Sequence, residues 1–174
     1  MNENDAMGVV IVVTGVSGSG KSTLGKALAE AQGWDFQEGD ALHPPANIDK
    51  MHAGFPLNDA DRAPWLERIA AWIASELRLH RDGVVTCSAL KQAYRECLSQ
   101  AGAGVRFVHI EVARDEVQPR LRKRDHFMPA SLLDSQLQTL ETPVEDENTL
   151  IVSGQRPIAD TLAKIKRWIA SQRS

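Results

Sequence analysis

The stretch Val9-Val10-Ile11-Val12-Val13-Thr14-Gly15-Val16-Ser17-Gly18-Ser19-Gly20-Lys21-Ser22 decides the fold. Its first part is an apolar β-branched run, which predicts a buried strand, and its second part matches the pattern G-x-x-x-x-G-K-S/T. A helix is predicted to follow from Ser22 to about Gln32, where Gly33 ends it. A glycine-rich loop between a strand and a helix N-terminus gathers backbone N–H groups around an anion. The stretch therefore predicts a phosphate-binding loop.

The residues of this loop have predicted roles toward ATP and Mg²⁺, which are the expected cofactors. Lys21 is expected to bridge the β- and γ-phosphates as a catalytic cation, and Ser22 to ligate Mg²⁺ directly. The predicted nucleotide contacts in the loop are Gly15, Ser17, Gly18, Ser19, Gly20, Lys21, Ser22 and Thr23. The pattern leaves open whether phosphate goes to water, a protein or a metabolite, because this kind of loop serves all three.

The rest of the chain alternates short β-branched runs with longer helical patterns. This alternation predicts an α/β fold of three layers, with a parallel sheet of about five strands between helices. One P-loop domain is predicted over 1–174, with a flexible tail at 1–8, a substrate-binding region at about 40–80 and a mobile lid at about 120–140. The predicted strands are Val9–Thr14, Trp34–Gln37, Val84–Cys87, Val105–Glu111 and Thr149–Val152. Further helices are predicted after Pro64 and at Lys91–Gln100, Arg114–Arg124 and Ile158–Ser171.

The helix after Pro64 carries an apolar stripe that includes Trp65 and Trp72. Pro64 suits a first turn because its φ is fixed and its N–H is missing. Core packing is the preferred interpretation of the two tryptophans, and an aromatic platform for a ligand is the alternative.

Composition excludes several functional classes. A net charge of -3 argues against a surface built for nucleic acid, which needs a basic face. The polar, acidic N-terminus shows neither an export signal nor a membrane span. Cys87 and Cys97 lack C-x-x-C spacing and predict free thiols in a reducing cytoplasm.

Polar segments follow the second and third predicted strands, at the edge of the sheet where ligands bind in open α/β folds. Asp40 follows the second strand, where a carboxylate can accept the proton of a substrate hydroxyl or orient Mg²⁺ through water. An aspartate that caps a turn is the alternative. Ser88, Lys91 and Arg95 follow the third strand and can meet polar or anionic groups. Spacing alone does not choose the substrate.

A dense set of residues beyond the phosphate loop repeats one known pattern. It comprises Gly39-Asp40, Leu42-His43-Pro44, Asn47, Lys50-Met51, Gly54, Pro56-Leu57, Asp59, Asp61-Arg62, Pro64-Trp65-Leu66, Cys87-Ser88-Ala89-Leu90-Lys91, Tyr94-Arg95 and His126-Phe127-Met128. In these residues and in Gly15–Ser22 the chain resembles the gluconate kinases (gluconokinases), over about Val10 to Glu141. The resemblance implies transfer of the γ-phosphate of ATP to D-gluconate, giving 6-phosphogluconate and ADP. Relatives of this kind are often dimers, so a homodimer is among the expectations.

A sugar acid offers one carboxylate and several hydroxyls, so its site needs a cation and several hydrogen-bonding partners. The residues expected to bind it are Asp40, His43, Lys50, Arg62, Ser88, Lys91, Arg95 and His126. Which cation holds the carboxylate stays open. Arg62 and Lys91 are preferred, since a guanidinium fork fits a carboxylate and Lys91 follows the third strand.

The segment Arg120-Leu121-Arg122-Lys123-Arg124 places four cations in five positions. The preferred interpretation is a lid, because Arg120 and Arg124 lie one helical turn apart and can project together over the nucleotide. Arg124 is the predicted catalytic cation and Arg120 a predicted nucleotide contact. A solvated helix terminus is the alternative. After the last strand, Arg156 and Pro157 are expected near the adenine ring.

Two other functions compete with a gluconate kinase. A different small-molecule kinase, such as a shikimate kinase, would share the loop and Asp40, but the chain has no Gly-Gly pair to match that family's glycine-rich substrate loop. A regulatory module that switches on binding ATP is the second alternative. The polar strand ends at Asp40 and Ser88 argue against it, because a pure switch needs no acceptor pocket.

Overall fold

The computed structural model of the protein describes residues 7–113, 115 and 132–173. Its strands are β1 (Val10–Thr14), β2 (Asp35–Gln37), β3 (Gly83–Thr86), β4 (Val105–Glu111) and β5 (Thr149–Ser153). Its helices are α1 (Lys21–Gln32), α2 (Pro45–His52), α3 (Asp59–Arg78), α4 (Gln92–Ser99), α5 (Leu132–Thr139) and α6 (Ile158–Arg173), with a 3₁₀ turn at Gly39–Leu42. The strands form one parallel sheet in the order β2-β3-β1-β4-β5.

The predicted α/β class and its five-stranded parallel sheet are confirmed. Each predicted strand is present, and its ends differ by at most one residue from the prediction. The central strand β1 is completely buried because both of its faces are covered by helices. Val10 and Val12 belong to the core that α3 and α4 cover, whereas Ile11 and Val13 belong to the core under α1 and α6. An uninterrupted apolar run is what such a strand requires.

Helix α3 begins earlier than the sequence predicted. Pro64 was expected in the first turn, but the helix starts at Asp59 and contains Pro64 in its interior. Asn58 and Asp61 form a reciprocal capping box: Asp61 N–H donates to Asn58 Oδ1 at 2.8 Å, and Asn58 N–H donates to Asp61 Oδ2 at 2.9 Å. The predicted start was wrong because the helix is capped at Asn58, before Pro64, where the Asn58 side chain satisfies the Asp61 N–H of the helix end.

Two helices were not predicted. Pro44 and Pro45 form the N-cap and the first residue of α2, where a missing N–H costs nothing. Helix α5 lies in the region predicted as a lid, at Leu132–Thr139. The predicted helix at Arg114–Arg124 lies outside the described residues, apart from Asp115.

The apolar stripe of α3 packs into the core, as predicted. Trp65 is 1% exposed, and Trp72 packs against the same cluster of buried residues. Among residues 7–113, 115 and 132–173, no helix is both long and apolar enough to cross a membrane.

The loop after β2 is fastened to the end of β3. A Cβ on Gly39 would lie 1.7 Å from the Thr86 carbonyl oxygen, so only glycine fits there. Gly39 N–H donates to the Thr86 hydroxyl at 3.0 Å, and this hydroxyl donates to Glu38 Oε1 at 2.5 Å. These contacts hold Asp40, the next residue, at the carboxyl edge of the sheet.

Candidate active site

The phosphate loop connects β1 to α1 at the carboxyl edge of the sheet. Gly15, Gly18 and Gly20 have φ values of +147°, +80° and +97°, which L side chains rarely adopt. A Cβ on Gly15 would also lie 2.7 Å from Ser19 Oγ. Gly20 is the N-cap of α1, so the loop ends at the positive end of that helix. The backbone has the shape and the polarity of an anion site.

Lys21 lies at the start of α1 and turns back over the loop. Its Nζ donates to the carbonyl oxygens of Gly15 at 2.9 Å and Val16 at 3.0 Å. Burial lowers the pKa of Lys21, and the nearby Asp40 carboxylate opposes that shift. The two side chains therefore interact electrostatically across the space next to the loop.

A pocket beside α6 and a cleft beside α3 both border the phosphate loop. The α6 pocket has a volume of about 210 Å³ and is lined by Gly18, Ser19, Gly20, Thr23, Leu24, Ile110, Val152, Ser153, Gly154, Arg156, Ile158 and Thr161. The α3 cleft lies on the other side and is lined by Ser17, Lys21, Asp40, His43, Met51, Pro56, Leu57, Arg62, Trp65, Ser88, Leu90, Leu132, Ser135 and Gln136. The loop is therefore shared: Gly18, Ser19 and Gly20 face the pocket, and Ser17 and Lys21 face the cleft.

His43 and Trp65 form one wall of the α3 cleft. Their rings stack, with centroids 4.1 Å apart and planes 14° apart. Trp65 Nε1 donates to the Gly39 carbonyl oxygen at 2.8 Å, which fixes the indole beneath the residue that precedes Asp40. Trp65 is thus both a core residue and a wall of the cleft.

The protonation of His43 follows from its surroundings. Burial, followed by the charge of Arg62, lowers the pKa of His43 to about 4, so the ring is neutral at pH 7. Nδ1 of His43 lies 3.2 Å from the Asn47 side-chain nitrogen, which can only donate. The ring proton is therefore assigned to Nε2, which lies 3.9 Å from Asp40 Oδ1. His43 presents a neutral N–H donor beside that carboxylate.

Arg62 is the buried cation of the cleft, at 8% exposure. Its Nη1 donates to the Tyr94 hydroxyl at 3.0 Å, and its guanidinium lies 5.5 Å from the centre of the Tyr94 ring. The Tyr94 hydroxyl in turn donates to Asp59. Within the described part of the chain, no carboxylate forms an ion pair with Arg62. A buried guanidinium held in this way is suited to an incoming anion.

Three other cations predicted for substrate binding have protein partners instead and do not line the cleft. Lys50 Nζ lies 2.6 Å from Asp61 Oδ2, and Lys91 Nζ lies 2.9 Å from Asp59 Oδ1. These bonds lower the pKa of each aspartate, with the Tyr94 hydroxyl contributing most at Asp59.

Arg95 is held by hydrogen bonds to two backbone carbonyl groups. It donates to the carbonyl oxygens of Ala89 and Glu141, each at 2.8 Å. Ala89 has a φ of +43°, a strained value for alanine, in the turn that presents Ser88 to the cleft. Arg95 therefore supports the Ser88 turn from outside the cleft.

The remaining predicted residues divide into two groups. Arg156 lines the α6 pocket, and Pro157 follows it directly at the start of α6 without lining that pocket itself. Arg120, Arg124 and His126 lie outside the described residues.

Sequence reasoning missed the contribution of α5. Leu132, Ser135 and Gln136 line the cleft, and Gln136 Oε1 accepts a hydrogen bond from Ser17 N–H at 2.7 Å. No local pattern marks this contact, because the two residues are 119 positions apart. A polar side chain on the half-buried face of a short amphipathic helix was the only signal available.

A phosphate loop between a pocket and a polar cleft, on a parallel sheet with a central β1, defines a P-loop kinase. A family model described as an AAA domain matches residues 10–143. The structure of an APS kinase from Mycobacterium tuberculosis, 18% identical, shares the fold with a TM-score of 0.68, over 94% of this chain and 98% of that one.

Closer similarities identify the family. A gluconokinase from Gluconobacter oxydans is 53% identical over 147 residues, which are 84% of this chain and 83% of that protein. A crystal structure of a gluconokinase from Sinorhizobium meliloti is 45% identical, with a TM-score of 0.84 over 95% of this chain and 93% of that one. The chain belongs to the gluconokinase family, which confirms the resemblance seen in its sequence.

Proposed function

We propose that the protein transfers the γ-phosphate of ATP to D-gluconate and releases 6-phospho-D-gluconate and ADP. One observation carries the proposal: a single cleft contains Lys21 of the phosphate loop, the Asp40 carboxylate and the buried guanidinium of Arg62. A phosphate-binding cation, a proton acceptor and an anion-binding group are the three things that phosphorylation of a sugar acid needs. Membership of the gluconokinase family supports the choice of acid.

The α6 pocket is the proposed site of the adenosine part of ATP. Its volume of about 210 Å³ and its wall of Ile110, Val152 and Ile158 suit an apolar ring. Backbone N–H groups of Gly15–Ser22 and the N-terminus of α1 then hold the phosphates. In this arrangement Arg156 borders the adenine, and Pro157 lies next to it, where its carbonyl oxygen accepts from Asp160 N–H and Thr161 N–H of α6.

The side-chain oxygen of Ser22, in the first turn of α1, is of the kind that Mg²⁺ binds. The described residues contain no group of three or more His, Cys, Asp or Glu side chains that could hold a metal by themselves. Mg²⁺ takes oxygen ligands and usually binds through one or two protein groups, phosphates and water. We propose that Ser22 ligates it directly and Asp40 through water. When bound, the ion neutralises charge on the phosphates.

Asp40 is the proposed general base. The 6-hydroxyl oxygen of gluconate forms the new bond to phosphorus while the bond from phosphorus to the β–γ bridging oxygen breaks, and the hydroxyl proton passes to Asp40. Lys21 stabilises the charge that develops on the phosphates. Asp40 lines the same cleft as Lys21, and its Oδ1 lies 3.9 Å from His43 Nε2; this position next to the phosphate loop supports the role.

Arg62 is the proposed partner of the gluconate carboxylate, and His43 and Ser88 of its hydroxyls. Arg62 lines the cleft and lacks a carboxylate partner among the described residues, whereas Lys50 and Lys91 already have one each. We therefore propose that Lys50, Lys91 and Arg95 act by positioning neighbouring residues. The lid roles of Arg120, Arg124 and His126 stay predictions.

Formation of ADP tests the function directly. The protein is incubated with ATP, Mg²⁺ and one acceptor from a panel of gluconate, other sugar acids, neutral sugars and shikimate. We expect gluconate to stimulate ADP formation most. Stimulation by shikimate alone would identify the other kinase class, and stimulation by no acceptor would favour a nucleotide-dependent switch.

Two further expectations belong to this proposal. The free thiols of Cys87 and Cys97 support a reducing compartment such as the cytoplasm. A homodimer stays a prediction that sedimentation or light scattering can check.

A further inference from the structure

Gln136 joins α5 to the phosphate loop. Its Oε1 accepts a hydrogen bond of 2.7 Å from the backbone N–H of Ser17, and its side chain lines the α3 cleft together with Asp40 and Arg62. Helix α5 therefore brings a carboxamide to the place where the loop faces the acceptor residues.

Ser17 occupies a special position in the loop. Gly18, Ser19 and Gly20 line the α6 pocket, whereas Ser17 and Lys21 line the α3 cleft. A triphosphate that starts in the α6 pocket and crosses the loop enters the cleft with its terminal phosphate. This step rests on the proposed function, and it makes Ser17 N–H the loop amide that faces the phosphate to be transferred.

The chemistry of the carboxamide allows two arrangements. A single N–H serves one acceptor well, and an anionic phosphate oxygen accepts more strongly than a neutral amide oxygen. The terminal phosphate of ATP should therefore replace Gln136 Oε1 as the acceptor of the hydrogen bond from Ser17 N–H. The glutamine also carries an NH₂ group with two donors, and rotation of its terminal amide turns those donors toward the same phosphate.

We propose that Gln136 recognises the γ-phosphate. It accepts from Ser17 when the bound nucleotide ends at the β-phosphate and donates to the terminal phosphate when ATP is bound. Gln136 then stabilises ATP but not ADP, and it positions the phosphate for transfer within the cleft. Ser135 and Leu132 of α5 line the same cleft, so the helix that distinguishes ATP from ADP through Gln136 also contacts the acceptor site.

The test uses Gln136→Glu and a matched control on the same helix. Glutamate keeps the shape and can still accept from Ser17 but replaces the donor with a negative charge that repels phosphate. Gln138→Glu adds the same charge at an exposed position of α5. Affinities for ADP and for the non-hydrolysable ATP analogue AMP-PNP are measured with Mg²⁺ by titration calorimetry. We expect Gln136→Glu to weaken AMP-PNP binding about tenfold or more and ADP binding less than about twofold.

Several results would overturn the proposal: unchanged affinity of Gln136→Glu for AMP-PNP, equal weakening for both nucleotides, or an equal effect of Gln138→Glu. Gln136→Leu, which removes acceptor and donor together, should weaken AMP-PNP selectively as well. If this variant does not fold, Gln136→Glu decides alone, provided that its thermal unfolding is cooperative. The titrations contain no acceptor, so they test Gln136 even if gluconate is not the substrate. Failure of the proposed function would appear instead as no gluconate-stimulated ADP formation by the unaltered protein.

Discussion

Replacing Arg62 by methionine should weaken recognition of the gluconate carboxylate specifically. The side chain is 8% exposed and is oriented by the Tyr94 hydroxyl at 3.0 Å. Methionine preserves much of the apolar stem but removes the charge and every donor. The variant Arg62→Lys keeps the charge but loses the planar fork, so it should recover only part of the activity.

The size of the effect follows from the burial of Arg62. Removing one partner of a buried, hydrogen-bonded charge pair costs about 2–5 kcal/mol. A loss of about 3 kcal/mol corresponds to a decrease of roughly 150-fold in kcat/KM for gluconate. Most of it should appear in KM if the carboxylate is held equally before and during transfer, because such an interaction is uniform binding.

The assay compares gluconate with a neutral polyol of the same chain length that lacks the carboxylate. The unaltered protein should prefer gluconate strongly, and Arg62→Met should lose most of that preference. Arg68→Met is the matched control, because Arg68 is an exposed arginine of α3 that donates to the Leu42 carbonyl oxygen at 3.2 Å and does not line the cleft. An unchanged preference in Arg62→Met, or an equal loss in Arg68→Met, would refute the assignment.

Three further predictions can be checked with similar variants. Asp40→Asn should lower kcat by about 10²–10⁴-fold and change ATP affinity little, because the substitution removes a general base. Unchanged turnover of this variant would exclude Asp40 from that role. Tyr94→Phe removes the hydroxyl that orients Arg62 and should lower kcat/KM for gluconate by about tenfold, with little change for the neutral polyol. An equal decrease for both acceptors would show a general structural effect instead. Burial, followed by the neighbouring Asp35, raises the pKa of Glu76 from 4.5 to about 7. The folded protein therefore holds the proton of Glu76 more tightly than the unfolded chain does. This contribution to the free energy of unfolding is fully present below pH 4.5 and is lost as the pH rises through about 7. Glu76→Gln should therefore raise the thermal unfolding midpoint more at pH 8 than at pH 5, and the same change at both pH values would contradict the explanation.

Much of the fold could be predicted because burial leaves a periodic record in the sequence. The run Val9–Val13 is apolar at every position since both faces of β1 are covered, and each predicted strand is present. Helix starts were less predictable. At α3, the competition between Pro64 and the Asn58–Asp61 cap was decided by side-chain hydrogen bonds that a spacing rule does not contain.

The candidate site shows a different limit. Lys50, Arg62 and Lys91 look alike as cations near a strand end, yet only Arg62 lines the cleft. The two lysines pair with Asp61 and Asp59. Pairing of this kind depends on where α2, α3 and α4 pack against one another, and the sequence does not state these distances.

By itself, the sequence determined the phosphate loop, the parallel sheet that carries it and the family of the chain. These features depend on local chemistry: glycines that permit positive φ, a helix N-terminus that attracts anions, and apolar runs that must be buried. Only the tertiary structure decided which of Lys50, Arg62 and Lys91 faces the cleft, and which distant side chain contacts Ser17 N–H. Those contacts join residues far apart in sequence, and packing of whole helices brings them together.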